Sequence, residues 1–226
     1  MDTIVYIDGY NLFYGRLRNT PYKWLDVFKL FQTIAKIQNP SANIIKIKCF
    51  TAPVKANFAS HGRESVAAQN AYHRALEKIY QQRIEIVTGY HTVEKGYPPR
   101  YQHPIDKDDR IEIWKFEEKQ TDVNIALAMY KDARDAKAHQ QILVSSDSDL
   151  KPALQLIDAE ALGVKLGLII PRAKPEIGSK VRPPNKSLSQ YVDWTRAYIL
   201  DEECFNSQLN ARIATEKKPI LKPCYW

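Results

Sequence analysis

Four aspartates stand where two predicted strands end and a predicted helix begins. Asp8 follows the apolar run TIVYI, and Asp147 and Asp149 follow the run QILVSS. Asp122 stands at the start of an amphipathic segment. Carboxylates a few ångströms apart raise one another's pKa, and a divalent cation between them removes that conflict. Oxygen ligands without His or Cys favour Mg²⁺ or Mn²⁺, which activate water and neutralise the charge of a phosphodiester.

Each of these aspartates also has an ordinary structural interpretation. Asp8 precedes Gly9, and Asp-Gly is a common turn dipeptide. Capping at Ser148 or Asp149 would suit a helix that starts near Pro152, which leaves the other carboxylate of the run without a structural role. Asp122 could cap its own helix. Its helical spacing nevertheless places it on the apolar stripe, where an inward carboxylate needs a cation or hydrogen-bond donors.

The elements that must position these aspartates alternate between strand and helix. The apolar runs predict strands over residues 3–7, 44–50, 141–145 and 164–170. The amphipathic segments predict helices over residues 25–37, 61–82, 121–136 and 150–161. This alternation predicts an α/β fold with a mainly parallel, doubly wound sheet and right-handed crossovers. Ligands of such sheets bind beyond the carboxyl ends of the strands, which is where the aspartates lie.

Composition narrows the class of protein. The chain has 226 residues, of which 44% are hydrophobic and 26% charged, values that exclude a disordered, collagen-like or coiled-coil chain. Its sequence offers no uncharged apolar run near the roughly 18 residues of a membrane span, and the acidic start predicts no signal peptide. Three cysteines without CxxC spacing argue against zinc and favour a reducing, cytoplasmic compartment. The net charge of +7 favours a polyanionic partner.

Changes in composition suggest how the chain is divided. We expect a catalytic domain over residues 1–170 and a basic, proline-rich extension over residues 171–226 that packs on the domain or trails from it. Residues 84–116 predict an insertion at the sheet edge, with strands over residues 84–90 and 111–116 and an extended loop or hairpin rich in Gly, Pro and charge between them. Within the extension, the sequence predicts a short helix over residues 187–194 and a tail over residues 216–226.

Three motifs together resemble a known family. They are DGYN (residues 8–11), EEKQTDVN (residues 117–124) and SSDSD (residues 145–149). Their order and content are similar to those of the NYN domain family of PIN-like nucleases, with the bacterial LabA branch as the nearest likeness. The resemblance implies a Rossmann-like, three-layer PIN-type fold with a metal-dependent nuclease centre that usually acts on RNA.

The same resemblance implies roles for individual residues. Asp8, Asp122, Asp147 and Asp149 would hold Mg²⁺ or Mn²⁺. Asn11 would orient a metal-bound water or the scissile phosphate while it opens the next helix. These five residues form the predicted catalytic set.

The chain departs from the family pattern at two positions. Tyr10 stands where Phe or Ala is often found, and Gln120 stands where a glycine is common, which alters the approach to Asp122. Some members of the branch carry the name of a monooxygenase for a pyridine intermediate of nicotine breakdown. Because this sequence has no GxGxxG turn, haem ligand set or iron triad, we favour the nuclease interpretation.

Candidate substrate contacts come from polar and aromatic residues. The candidates for phosphate contact are Lys119, Ser145, Ser146, Arg172, Lys174, Lys180 and Arg182. Arginines that could follow a nucleic-acid backbone are Arg16, Arg18, Arg63 and Arg74. Tyrosines that could stack on unpaired bases are Tyr10, Tyr14, Tyr90, Tyr97 and Tyr101. For each one, a solvated charge, a strand-end hydroxyl or a packing role is the ordinary alternative.

These observations lead to one main hypothesis and two alternatives. The main hypothesis is a Mg²⁺- or Mn²⁺-dependent ribonuclease that hydrolyses phosphodiester bonds with activated water, with RNA favoured over DNA and no membrane partner. The first alternative is a non-catalytic, regulatory nucleic-acid-binding module. The second is a small-molecule phosphoesterase. A homodimer remains open in each case.

Overall fold

Parallel strands with helices on both faces form the framework of the protein, which we describe from a computed structural model over residues 1–160, 162–176 and 186–226. The strands in chain order are β1 (Asp2–Asp8), β2 (Asn43–Thr51), β3 (Ile84–Thr88), β4 (Tyr90–Gly96), β5 (Ile113–Lys119), β6 (Gln140–Val144), β7 (Lys165–Ile169), β8 (Trp194–Arg196), β9 (Arg212–Ile213) and β10 (Ile220–Leu221). The helices are α1 (Gly9–Leu12), α2 (Val27–Gln38), α3 (Gly62–Tyr80), α4 (Thr121–Arg134), α5 (Lys151–Ala159), α6 (Lys186–Ser189) and α7 (Asp201–Phe205).

The central sheet has six strands in the order β3-β2-β1-β6-β7-β8. All of its neighbouring strands pair in parallel. This confirms the predicted α/β fold with a mainly parallel sheet. Strand β1 lies between β2 and β6, and Asp8 at its carboxyl end is level with Phe50 of β2. The last β1 residue paired with β6 is Ile7, opposite Val144. The carboxyl ends of β1 and β6 therefore lie side by side.

The sheet is covered on both faces, as in a three-layer fold. Val5 and Ile7 of β1 pack into the core beneath α2 and α3, whereas Ile4 and Tyr6 pack into the core beneath α4 and α5. This alternation within one strand, with every residue from 3 to 8 buried, is characteristic of a parallel strand covered on both sides. No helix within the described ranges has the length and apolar character needed to cross a membrane.

The segment over residues 84–116 divides into two parts. Strand β3 is the edge strand of the central sheet, whereas β4 and β5 form a separate antiparallel hairpin that extends to Lys119. Gly89 connects them, and a Cβ at this position would lie 2.4 Å from the carbonyl oxygen of Lys119. The missing side chain therefore lets the start of the hairpin approach the backbone that leads into α4.

The carboxyl-terminal segment differs from its predicted structure at Trp194. We expected one short helix over residues 187–194, but α6 ends at Ser189 and Trp194 begins β8, which extends the central sheet. The indole of Trp194 lies over Gly167 of β7, where a Cβ would come within 2.2 Å of the ring. Because Gly167 has no side chain, the half-buried Trp194 ring can pack against β7 where β8 pairs with it.

The structure also differs from two expectations about exposed parts of the chain, which are the tail and Arg16. Trp226 packs on Trp24, with 6.2 Å between ring centroids. Arg16 is buried, donates to the carbonyl oxygen of Ile199 at 3.0 Å and forms an ion pair with Asp201. The expectation that Arg16 follows a nucleic-acid backbone is therefore wrong, because its guanidinium binds the carboxyl-terminal segment.

Candidate active site

Asp8 is held at the carboxyl end of β1 by three hydrogen bonds. The side chain is buried, with only 2% of the residue exposed. Its carboxylate accepts from the backbone N–H of Asn11 at 3.0 Å, from Asn11 Nδ2 at 2.6 Å and from Ser145 Oγ at 2.9 Å. Burial raises the pKa of Asp8 above its usual value, the hydrogen bonds oppose this rise, and the charge of Asp147 adds to it. The Asp8 carboxylate is therefore held in one position, and burial makes its negative charge unfavourable.

Gly9 explains how α1 can begin directly after β1. Asp8 caps this helix through the N–H of Asn11, so its interpretations as a cap and as a site residue are compatible. A Cβ on Gly9 would lie 2.7 Å from the carbonyl oxygen of Phe50 in β2. Only glycine allows the chain to turn this close to the neighbouring strand.

Asn11 joins the ends of β1 and β6. While its amide nitrogen donates to Asp8, its Oδ1 accepts from the backbone N–H of Ser146 at 3.2 Å and from Ser146 Oγ at 2.5 Å. The structure therefore shows Asn11 as a positioning residue for Asp8. Ser145 and Ser146, which we considered as phosphate contacts, donate their hydroxyl groups to Asp8 and Asn11.

Asp147 and Asp149 follow β6 in a short 3₁₀ turn over residues 148–150. Asp147 Oδ1 accepts from the backbone N–H of Asp149 at 3.0 Å and caps this turn. The N-cap of α5 is Leu150, without a side-chain hydrogen bond, so neither Ser148 nor Asp149 caps that helix and Asp147 caps only the turn before it. The Asp149 side chain is exposed, and no hydrogen bond from it is found among the described residues. Asp149 is the carboxylate that capping does not explain.

Asp122 lies in the first turn of α4 and is half-buried. Burial, followed by the charges of Asp8, Asp147 and Asp149, raises the pKa of Asp122 from 3.8 to about 6. Asp8, Asp147 and Asp149 therefore lie close enough to Asp122 for their charges to affect its protonation. Gln120, directly before this helix, has a φ of 76°, which is the left-handed conformation that glycine adopts most readily. The glycine that the resemblance leads us to expect at this position would adopt this conformation without strain.

Glu118 is a fifth carboxylate of the site, and sequence reasoning did not assign it a role. It lies near the end of β5, accepts from the Thr121 hydroxyl and is half-buried. Burial raises the pKa of Glu118, and the charges of Asp8 and Asp122 contribute to the rise. The motif EEKQTDVN contains this residue, but the sequence predicts a strand that ends at Phe116, whereas β5 continues to Lys119.

Lys119 lies on the other face of the same strand. We expected it one helical turn before Asp122, where it could contact phosphate. Instead it belongs to β5, and its Nζ forms an ion pair with Glu117 at 2.5 Å. Because alternate residues of a strand point to opposite faces, Glu118 faces the acid cluster and Lys119 does not.

The other basic candidates lie in the segment after β7. Arg172 is half-buried, and its Nε donates to the carbonyl oxygen of Ala197 at 2.8 Å, so it stabilises this segment. Lys174 is exposed. Lys180 and Arg182 lie outside the described residues.

We call Asp8, Glu118, Asp122, Asp147 and Asp149 the acid cluster. Among the described residues, none of its five members forms an ion pair with Lys or Arg. Oxygen donors with uncompensated negative charge fit a hard cation such as Mg²⁺ or Mn²⁺ in their chemistry. As they are placed, however, no three or more acidic, His or Cys side chains of the described ranges form a group that could hold a metal ion. Binding would therefore require their side chains to rotate towards one another.

Comparisons with known proteins agree with this fold. A model of the NYN domain matches residues 2–180. A Pseudomonas putida protein named 6-hydroxy-3-succinoylpyridine 3-monooxygenase HspA is 35% identical, and the match covers 99% of this chain and 75% of that protein. The crystal structure of a Vibrio parahaemolyticus protein of unknown function superposes with a TM-score of 0.50 at 17% identity, covering 92% of this chain and 96% of the other. At that identity the likeness shows a shared fold alone.

Proposed function

Because the chain belongs to the NYN domain family, a PIN-like family of nuclease type, we propose that it is a Mg²⁺- or Mn²⁺-dependent ribonuclease. The observation that carries this proposal is the acid cluster. Its members come from the ends of β1, β5 and β6 and from the start of α4, and burial together with the charges of neighbouring members raises the pKa of Asp8, Glu118 and Asp122. Such an arrangement costs folding free energy and is typical of a functional site.

We propose different chemical roles for the residues of the acid cluster. Asp8, Asp122, Asp147 and Asp149 would hold the cation, with Asp8 fixed by Asn11 and Ser145. The cation, when bound, supplies positive charge to the phosphate and lowers the pKa of water. We assign to Glu118 the role of accepting a proton from the attacking water, because its raised pKa lies closer to neutral pH than that of an ordinary carboxylate.

The choice of RNA as substrate rests on charge and on the family. The net charge of +7 attracts a polyanion, and binding through phosphate contacts must weaken as the salt concentration rises. We propose a cytoplasmic enzyme, consistent with three cysteines that form no disulfide within the described residues.

The test is cleavage of an unstructured RNA by the wild type and by charge-neutral variants. We expect cleavage with Mg²⁺ or Mn²⁺, no cleavage with EDTA, and no cleavage by Asp8→Asn or Asp147→Asn variants that keep their circular dichroism spectra. Asp158→Asn is the matched control, because Asp158 is exposed on α5 outside the acid cluster. Full activity of both Asp8→Asn and Asp147→Asn would contradict the proposal.

The same assays separate the two alternatives. A non-catalytic module would bind RNA equally well with EDTA and would leave it intact with either metal. A small-molecule phosphoesterase would hydrolyse a chromogenic phosphoester with little dependence on salt, whereas nucleic-acid cleavage depends on it steeply.

The named function of the Pseudomonas relative supports a second candidate, which is monooxygenation of a hydroxylated pyridine. In that reaction one oxygen atom of O₂ enters the substrate and the other is reduced to water by two electrons from a reductant. The test is incubation of the full chain with 6-hydroxy-3-succinoylpyridine, reduced nicotinamide cofactor and ¹⁸O₂. One ¹⁸O atom in the product, without RNA cleavage, would favour this candidate over the nuclease.

A further inference from the structure

The β4–β5 hairpin has two chemically different faces. Antiparallel pairing places Val93 opposite Phe116 and Lys95 opposite Trp114, and side chains directly opposite one another share a face. We call these four residues, together with Phe58, which stacks on Phe116, the stacking face. The opposite face carries Lys115 and Lys119, both paired with Glu117, together with other mainly charged or polar residues.

Large rings are exposed on the stacking face. Trp114 is 65% exposed, and Phe116 is 39% exposed. The Trp114 ring makes no ring contact among the described residues. Phe116 stacks on Phe58, which is itself 45% exposed, with 5.0 Å between centroids and 24° between planes. An exposed indole beside a stacked phenyl pair offers flat apolar surface that the fold does not use.

Phe116 is connected to the acid cluster through two further side chains. Phe116 also stacks on the buried His91, with 4.5 Å between centroids. His91 Nδ1 lies 3.1 Å from the carbonyl oxygen of Pro53, which can only accept, so Nδ1 carries the proton. His91 Nε2 therefore accepts from the Tyr10 hydroxyl at 2.5 Å. Tyr10 lies in α1 between Asp8 and Asn11, so this chain of contacts ends at the acid cluster.

The stacking face lies on the same side of β5 as one member of the acid cluster. Trp114, Phe116 and Glu118 are alternate residues of β5 and point to the same side. Four residues of an antiparallel strand span about 14 Å, so Trp114 lies a short distance along the surface from the acids. A chain bound along this face would lead into the acid cluster.

A positive charge beside Trp114 indicates which kind of polymer could bind along this face. Lys95 is exposed, directly opposite Trp114, and it has no ion pair or hydrogen bond in the described part of the protein. A ring with an adjacent unpaired lysine suits a base and its phosphate. Paired bases are stacked within the duplex and do not present free faces, whereas unpaired bases do.

We propose that the stacking face binds unpaired bases of the RNA substrate, with bases on Trp114 and Phe58 and a phosphate on Lys95, and directs the strand to the acid cluster. This inference rests on the proposed nuclease function, because it assigns the substrate surface of the same site. The ring-bearing residues differ from the tyrosines that the sequence suggested. Of these, Tyr101 is 93% exposed on the hairpin loop and contacts only the ring of His103 among the described rings.

The test measures binding of a fluorescein-labelled oligouridylate of about 12 nucleotides to the full chain in EDTA, where cleavage is prevented. We expect Trp114→Ala and Phe58→Ala each to weaken binding about tenfold, and Lys95→Gln to reduce the slope of log K against log salt by about 0.7. Ile113→Ala is the matched control, because Ile113 is exposed on the same strand but on the opposite face.

Tryptophan fluorescence supplies a second readout. The oligonucleotide should quench the exposed Trp114, and this quenching should disappear in Trp114→Phe. The proposal is overturned if Trp114→Ala binds as tightly as Ile113→Ala, if a blunt duplex shows the same sensitivity to Trp114→Ala, or if 6-hydroxy-3-succinoylpyridine quenches Trp114 and the oligonucleotide does not.

The binding test is independent of the cleavage test. If the wild type cleaves RNA and the ring variants bind it normally, the inference about the stacking face fails and the nuclease function stands. If the ring variants weaken binding but no metal supports cleavage, the nuclease function fails and the stacking face remains a binding surface.

Discussion

The side-chain amide of Asn11 donates to Asp8 Oδ2 at 2.6 Å and accepts two hydrogen bonds from Ser146. One residue thus ties the end of β1 to the end of β6, the two strands that carry Asp8 and Asp147. The geometry of the acid cluster depends on this tie. Substitution of Asn11 therefore disturbs the position of Asp8 without removing any of the carboxylates of the acid cluster.

Asn11→Ala should lower the rate of RNA cleavage about 100-fold and destabilise the fold by about 1–3 kcal/mol, because a buried carboxylate loses a charge-assisted hydrogen bond. Cleavage kinetics and urea unfolding measure the two effects. Asn39→Ala is the control, since Asn39 makes a side-chain hydrogen bond to Gln140, at the start of β6. A variant of Asn11 that cleaves at the wild-type rate would show that the tie is structural only.

Glu118→Gln should lower the cleavage rate by about 100-fold or more, because it removes the proposed proton acceptor. Glu117→Gln, on the opposite face of the same strand, should leave the rate within about twofold of the wild type. Single-turnover cleavage at saturating enzyme measures both variants without interference from RNA affinity. Equal effects of the two substitutions would argue against the assignment of Glu118.

Asp122→Asn should raise the thermal unfolding temperature in EDTA near neutral pH. The folded-state pKa of Asp122 is raised from 3.8 to about 6, chiefly by burial. The folded state therefore binds this proton more tightly than the unfolded state, and stability falls as the pH rises from about 4 to about 6. At about pH 3 both states are protonated, and the advantage of the variant should vanish.

Differential scanning calorimetry at several pH values measures this effect. Mn²⁺ should stabilise the wild type, because a ligand that binds only the folded state raises the unfolding temperature, and it should stabilise Asp122→Asn much less. An Asp122→Asn variant that is less stable than the wild type at every pH would contradict the electrostatic account.

Gln120→Gly should stabilise the fold by about 0.5–1 kcal/mol. The left-handed φ of 76° costs a side-chain-bearing residue about 1–2 kcal/mol, which exceeds the extra chain entropy of glycine. Urea unfolding measures the gain, and Gln120→Ala, which keeps a Cβ, should show none. Destabilisation by glycine, as at an ordinary helical position, would contradict the prediction.

The strands that carry the site could be predicted because they are apolar runs ended by polar motifs. TIVYI and QILVSS have this form, and the parallel topology then places Asp8 and Asp147 side by side. The order of the strands follows from tertiary packing, so the hydrogen bonds from Ser145 to Asp8 and from Ser146 to Asn11 could not be read from spacing.

The errors of sequence reasoning arose where the pattern is short or the partner is distant. Strand β5 carries large exposed residues on one face and charges on the other, so its end was placed too early and Lys119 was preferred to Glu118. Arg16 pairs with Asp201, which is distant from it in the sequence, and no local sequence pattern predicts such a contact. The β8 strand depends likewise on Gly167, which accepts the Trp194 ring.

The acid cluster should capture a hard divalent cation, which a crystal soaked in Mn²⁺ would reveal. We expect an anomalous density peak bounded by carboxylate oxygens of Asp8, Asp122, Asp147 and Asp149, and loss of that peak in Asp8→Asn crystals. A fully soaked crystal with no peak among these side chains, or with its peak elsewhere on the protein, would contradict this expectation.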